Sequence, residues 1–393
     1  MKIALVLFLV VTMLVPTMTW AEESSDEYVV TVFYAEWDDS GWNQAHEDGW
    51  EFVKAQGTVL EESSMEFLVE FPDGKLLRVH YVTNCGYDAG IETKMRSAIE
   101  IQKPDMIYAT WWDSKDAVRT LAPEFPDVLF NHCSGFPVLA STQFPETNNV
   151  STFFVRMYYA DYQIGKMVGL MGYEQTGAVG THTIPEPVRG INAYHLGVER
   201  GREEAGLGNE NTETNAIWIK AWLDREKEQL ATEALVAEGY ILIKQVADTP
   251  TTAQTACELG VDVVGYGRDV SLTAPCALAT NGWNWGDYYF KSVRAGMDGV
   301  WEPHDYYEIG TKLTFSDKIP QDIQDKVNSI PLDEVWQGPI SGYGFDKNGE
   351  RYDIFVPEGK CLVDDDLLSM QWFVNRVKSS VKIEFGKFRF SVD

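Results

Sequence analysis

MIYAT (106–110), DSKDAVRTLAPEF (113–125) and DVLFNH (127–132) are the stretch that decides the fold. Two short apolar runs flank one helix-length amphipathic segment. Buried runs of about four to eight residues alternating with helical patterns indicate βαβ units and a parallel sheet. Working outward, the N-terminal side repeats the alternation. An apolar run at 29–35 is followed by a helical pattern at 42–56, then by LRVHYV (77–82) and a helical pattern at 91–102. On the C-terminal side, a turn-rich stretch at 135–149 separates this unit from a second one. STFFVRM (151–157) leads into a helix ending near 171, and GAVG (177–180) into one at 186–205. NAIWIK (215–220) precedes a helix at 224–237, YILIKQ (240–245) one at 249–259, and VDVVGY (261–266) closes the unit. KLTF (312–315) is a further strand, and a last helix is expected at 364–377.

The fold class is therefore α/β, with two doubly wound parallel-sheet lobes. Such sheets bind ligands beyond the carboxyl ends of their strands, so a cleft between the lobes is the expected site. The lobes are read as 28–147 with about 283–308, and 148–282 with about 309–393. A length of 393 residues suits two domains at about 150 residues each.

Asp and Glu number 60 against 32 Lys and Arg, a formal net charge of −28. That balance argues against nucleic acid or an anionic membrane as partner, since both need a basic surface. Residues 1–21 read as a secretory signal peptide. Lys2 precedes an apolar run at 3–15, Pro16 breaks it, and Ala21 ends it. The run is too short to span a bilayer. No Cys stands at the cleavage point, so the mature chain is expected to be exported to the periplasm and soluble, without a lipid anchor there. Five Cys remain, an odd number. Cys257 and Cys276 lie close enough in sequence to bridge a helix to the next strand. Free buried thiols are the other reading.

No GxxxxGK[ST], GxSxG or HExxH pattern occurs, and the six His are scattered. Nothing supports an enzyme, a metal or a cofactor. What stands out is the position of aromatic and acidic residues just past strand ends. Trp42 opens the first helix. Trp111, Trp112 and Asp113 follow MIYAT, and Trp222 follows NAIWIK. Asp248 follows YILIKQ, Asp269 follows VDVVGY, and Trp283 and Trp285 follow the strand near Leu278. Flat apolar walls with a few carboxylate acceptors suit a planar heterocycle bearing N–H donors.

DSGWNQAHEDG (39–49) resembles the D-G-G-W-T-x-x-H-D-x-G motif of the basic membrane protein family, and IPEPVRGINA (184–193) resembles that family's I-P-E-V-x-R-x-x-N-A. The similarity continues through WLD (222–224), DTP (248–250), GYGRD (265–269) and WNWG (283–286), and into the tail at GPI (338–340), VPEG (356–359) and LLSMQWFV (367–374). It runs in order over nearly all of the chain. The family comprises substrate-binding proteins of purine and nucleoside ABC importers. The resemblance implies the type I periplasmic-binding-protein fold, three crossovers between lobes, a permease partner and hinge closure without chemistry. In purine-binding members two aromatic residues sandwich the base and an aspartate bonds its edge. Those positions resemble Trp42, Trp222 and Asp248. Bulky Ala109-Thr110-Trp111-Trp112 stands where nucleoside binders are polar, which implies a free purine base rather than a nucleoside. A purine nucleoside-binding protein, or a ligand sensor docking a membrane receptor, is the alternative. Residues 57–76 look like an insertion.

Overall fold

The structure is a computed structural model and describes residues 27–37, 40–133, 147–304, 307–346 and 348–380. The signal-peptide reading at 1–21 lies outside the described residues.

In chain order the first lobe contains β1 (Glu27–Phe33), α1 (Trp42–Lys54), β2 (Thr58–Glu62), β3 (Glu66–Glu70), β4 (Leu76–Val82), α2 (Gly90–Gln102), β5 (Met106–Ala109), α3 (Lys115–Glu124), β6 (Leu129–Cys133) and β7 (Val150–Val155). Then follow α4 (Met157–Leu170), β8 (Gln175–Gly180), α5 (Pro185–Glu204), β9 (Glu213–Trp218), α6 (Arg225–Ala237), β10 (Leu242–Gln245), α7 (Thr251–Glu258), β11 (Asp262–Gly265) and β12 (Ala277–Trp283). The remainder is α8 (Trp285–Met297), β13 (Tyr307–Ile309), β14 (Thr311–Phe315), α9 (Gln321–Asn328), β15 (Ile340–Phe345), β16 (Arg351–Val356), α10 (Asp364–Leu368), β17 (Trp372–Val374) and β18 (Val377–Ser379).

One sheet has the order β13-β7-β6-β5-β1-β4-β3-β2, and the other β14-β12-β11-β10-β8-β9-β18. The central pairs of both are parallel. Strands β5, β7 and β10 are buried on both faces, as helices on each side require. Among the described elements the chain passes between the sheets at three places: β7 to β8, β12 to β13, and β13 to β14. The last crossing is a single residue, Gly310.

Two expectations need correcting. The strand within STFFVRM does not begin the second unit. It is β7, paired in parallel with β6, and it belongs to the first sheet. All six of its residues are buried, and a fully buried strand carries no mark of which sheet it joins. The lobe boundary therefore falls after Val155, not at 148. Second, the helix expected at 364–377 stops at Leu368. Trp372–Val374 pairs with β15 and Val377–Ser379 with β9, because aromatic and β-branched residues there fit a pleated, buried surface. The 57–76 stretch, read as an insertion, is an antiparallel hairpin, β2–β3, beside β4 at the sheet's edge.

Cys257 and Cys276 form a disulfide that ties α7 to the start of β12. Cys85 and Cys133 are buried free thiols and Cys361 is exposed. Among the described residues no helix is long and apolar enough to cross a membrane.

Candidate ligand-binding cleft

Strand ends from both lobes meet around one cavity. The first lobe contributes Ala35 after β1, Trp42 and Asn43 at the start of α1, Trp111, Trp112 and Asp113 after β5, and Phe154 of β7. The second contributes Thr181 after β8, Glu186 at the start of α5, Trp222 after β9, Asp248 after β10 and Tyr266 after β11. The lobes touch at its rim. A Cβ added to Gly41 would lie 1.4 Å from the Asp248 carbonyl oxygen, so only glycine allows this approach. A second interlobe contact is the ion pair between Arg268 and Asp48, with Nε–Oδ2 2.8 Å.

Trp42 is half-buried and held by several neighbours. Its Nε1 donates to the Thr110 carbonyl oxygen at 2.9 Å. Its ring lies near-parallel to Phe154 at 6.1 Å and meets Trp283 at 4.9 Å, Trp285 at 5.6 Å and His46 at 4.8 Å edge to face. His46 stacks on Trp285 at 4.4 Å. Burial pushes its pKa down to about 3, so it packs as a neutral ring. Trp222 is half-buried and meets His182 edge to face at 4.7 Å. The Asp248 backbone N–H donates to the Trp222 carbonyl oxygen at 3.3 Å, which links the two residues' loops.

Glu186, at the start of α5, is a lining carboxyl group altered by its surroundings. Burial pushes its pKa up to about 7, against the opposing pull of Arg189 and Lys244. The Tyr266 hydroxyl donates to its Oε1 at 3.2 Å. Behind Tyr266, Lys244 Nζ pairs with Asp161 at 2.7 Å and lies 5.3 Å from the Tyr266 ring. Asn281 Nδ2 also donates to Asp161, at 2.7 Å. Asp113 is raised too, by burial.

Four of the six residues singled out in the sequence line this cavity: Trp42, Trp111, Trp222 and Asp248. Two do not. Trp283 stacks on Trp285 at 5.6 Å and meets Tyr266 edge to face at 5.3 Å. It buttresses Trp42 and Tyr266 from behind, because its strand runs between the lobes and not up to the cleft mouth. Asp269 is exposed, and its Oδ1 accepts from the Ser271 backbone N–H at 2.9 Å. It shapes a turn beside a separate depression shared with Asp48, Arg268 and Trp283. Asp113, read beside Trp111 and Trp112 after the strand, also lines the cavity, while Glu186, Tyr266 and Phe154 were not anticipated. Strand-end position would have found Tyr266, and the 184–193 motif contained Glu186 without showing where it points.

The family described as ABC transporter substrate-binding protein, PnrA-like, matches residues 27–303, more than half of the chain. The chain belongs to this family. The substrate-binding protein is 26% identical over 343 residues to a purine-binding protein of Brucella abortus, covering 86% of this chain and 88% of that one. It is 25% identical over 320 residues to a putative ABC transporter glucose-binding protein of Haloferax volcanii, covering 78% and 73%. An ABC transporter solute-binding protein from Conexibacter woesei has the same fold, with a TM-score of 0.55 at 20% identity over 77% of this chain and 94% of that one. The two sheets and their helices are those of a type I periplasmic-binding protein. As an ABC transporter substrate-binding protein it works outside the cytoplasm, with a small-molecule ligand and a permease partner.

Proposed function

We propose that this substrate-binding protein takes a purine base between its lobes, with Trp42 and Trp222 on the two faces and Asp248 on the edge. The observation that carries the reading is the lining of the cavity, where both lobes bring tryptophan and a carboxylate stands beside them. Stacking on one aromatic ring contributes roughly 0.5–1.5 kcal/mol beyond the area it covers. A carboxylate accepting from a ring N–H adds a charge-assisted bond of about 1.5–3 kcal/mol. The name of the Brucella relative supports the same ligand class. Trp111, with the half-buried Trp112 beside it, fills the wall where a ribose would need polar partners, which favours a base over a nucleoside. Closure then moves the lobes about the three crossings, and the closed form is presented to the permease. Residues 1–21 act as a signal peptide, and N-terminal sequencing of the native protein should begin near Glu22.

Calorimetric titration with adenine, guanine, hypoxanthine, adenosine, inosine and glucose tests the ligand class. Bases should bind and raise the melting temperature, by about 2.7 kcal/mol of stabilisation at a hundred times Kd. Glucose is included because the Haloferax relative is named for it. Heat from glucose alone would overturn the purine reading.

A further inference from the structure

Asp248 reaches the cleft from a short bend after β10. Three buried residues hold that bend, Gln245, Thr249 and Glu228, and none of them is among the residues that line the cleft. Gln245 ends β10. Its Nε2 donates to the Ala247 carbonyl oxygen at 3.1 Å and to the Thr249 carbonyl oxygen at 3.0 Å, so it grips the chain on both sides of Asp248. The Thr249 hydroxyl lies 2.9 Å and 3.0 Å from the two carboxyl oxygens of Glu228 and donates to them. Thr252 Oγ1 donates to the same carboxyl group at 3.4 Å, and Thr249 Oγ1 accepts from the Thr251 backbone N–H at 3.2 Å. Glu228 belongs to α6, which starts just after Trp222. Asp224 caps that helix, its Oδ1 accepting from the Lys227 backbone N–H at 3.1 Å. The Asp248 backbone N–H in turn donates to the Trp222 carbonyl oxygen at 3.3 Å. One buried carboxyl group therefore ties the bend that carries Asp248 to the helix that follows Trp222.

Glu228 is fully buried, and burial pushes its pKa up to about 7. In either protonation state the carboxyl group keeps an acceptor oxygen for Thr249. Burying such a group is costly unless it is hydrogen-bonded, and apolar partners of the same shape would be nearly neutral for stability. What the carboxyl–hydroxyl pair adds is direction. A base stacked on a ring leaves its edge acceptor little latitude, about 0.5 Å in a working site. Resting on the purine reading above, we propose that Glu228 is a positioning residue of the cleft: acting through Thr249, it holds the Asp248 carboxylate level with the base that Trp222 stacks on. Gln245 fixes the same bend from the strand side.

The test is a mutant cycle, read by calorimetric titration of the full chain with adenine, guanine and hypoxanthine. Thr249→Val keeps the side-chain shape and removes the hydroxyl. Glu228→Met keeps the length and removes the acceptors. Each should weaken binding of the tightest of the three bases about fivefold or more in the parent. Each should cost less than about twofold when Asp248→Ala is already present, because the group they position is gone while the stacking faces remain to hold the base. Thr249→Ser, which keeps the hydroxyl, should bind within about twofold of the parent. Parent-like binding by Thr249→Val or by Asp248→Ala overturns the proposal, as does a loss in Thr249→Ser as large as that in Thr249→Val. An equal loss with and without the Asp248 side chain also overturns it, since the effect would then run through the backbone contact with Gly41 or through general stability. All of these leave the stacked purine standing. Heat from none of the three bases in the parent overturns both readings. The Thr249 variants decide the matter even if Glu228→Met folds poorly.

Discussion

The two walls of the cleft are built on opposite plans. On the first-lobe side, Trp42 is fixed by a hydrogen bond to Thr110 and by Phe154, Trp283, Trp285 and His46. On the second-lobe side, Trp222 meets the His182 ring edge to face, while two of the three lining carboxyl groups, Glu186 and Asp248, stand nearby. One wall is a rigid aromatic platform whose orientation exists before any ligand arrives. The other carries two of the three lining carboxyl groups and, among the described residues, holds its tryptophan by fewer ring contacts. A binding protein gains from this division, since a preorganised face loses little side-chain entropy and a mobile one lets ligand enter.

If that difference is real, Trp42→Ala should have the largest effect. It removes a stacking face and a piece of interlobe packing together. Purine affinity should fall about a hundredfold, some 2.7 kcal/mol, and the melting temperature should fall as well, because a buried aromatic cluster is left with a cavity. Trp222→Ala should cost about tenfold in affinity and leave the melting temperature within about 2 °C of the parent's, a shift well under 1 kcal/mol. Calorimetry and circular dichroism on both variants decide the point. Equal losses of stability would erase the distinction between the walls.

Next comes a pH effect. Burial holds Glu47, Glu186 and Glu228 up at about 7. Each binds its proton more tightly when folded, so its stabilisation is complete below about 4.5 and is lost as pH rises through 7. His46 and His132, pushed down to about 3 by burial, act in the opposite sense, and their contribution is lost as pH falls from 6.5 towards 3. The two trends oppose each other between pH 4.5 and 6.5. Above that the carboxyl groups alone remain, so the melting temperature of the ligand-free protein should decline from about pH 6.5 to 8. Glu186 faces Arg189 on its own helix, Asp161 on α4, Lys244 on β10 and Tyr266 after β11. Glu186→Gln should flatten that decline by about a third, since it removes one of three comparable groups. An unchanged slope would mean that the second-lobe wall is less buried than its geometry indicates.

The smallest effect belongs to the rim. Arg268 and Asp48 are about half exposed, and such pairs contribute about 0–1 kcal/mol. Arg268→Ala should weaken ligand binding less than about fivefold, and the difference should vanish at about 1 M salt, where the Debye length is about 3 Å. A larger, salt-insensitive loss would show that the contact clamps the lobes and does not merely trim the closed form.

The βαβ alternation, the strand ends that carry Trp42, Trp111, Trp222 and Asp248, and the Cys257–Cys276 spacing were all readable along the chain, because each is a local pattern. Periodicity reports burial, and burial past a strand's carboxyl end points to a cleft. The same local pattern could not say that 150–155 belongs to the first sheet, since a strand buried on both faces reads alike in either lobe. It could not separate Trp222, which lines the cleft, from Trp283, which supports it, nor Asp248 from Asp269, which shapes a turn. It also missed Glu186. That residue's character comes from Tyr266, some eighty positions away, and from a buried Lys244–Asp161 pair on two other elements. The sequence by itself determined the layer architecture and the kinds of residue at the cleft mouth. Which of them face the ligand space, and with what charge, was decided only when the three crossings brought distant strand ends together and took their carboxyl groups out of water.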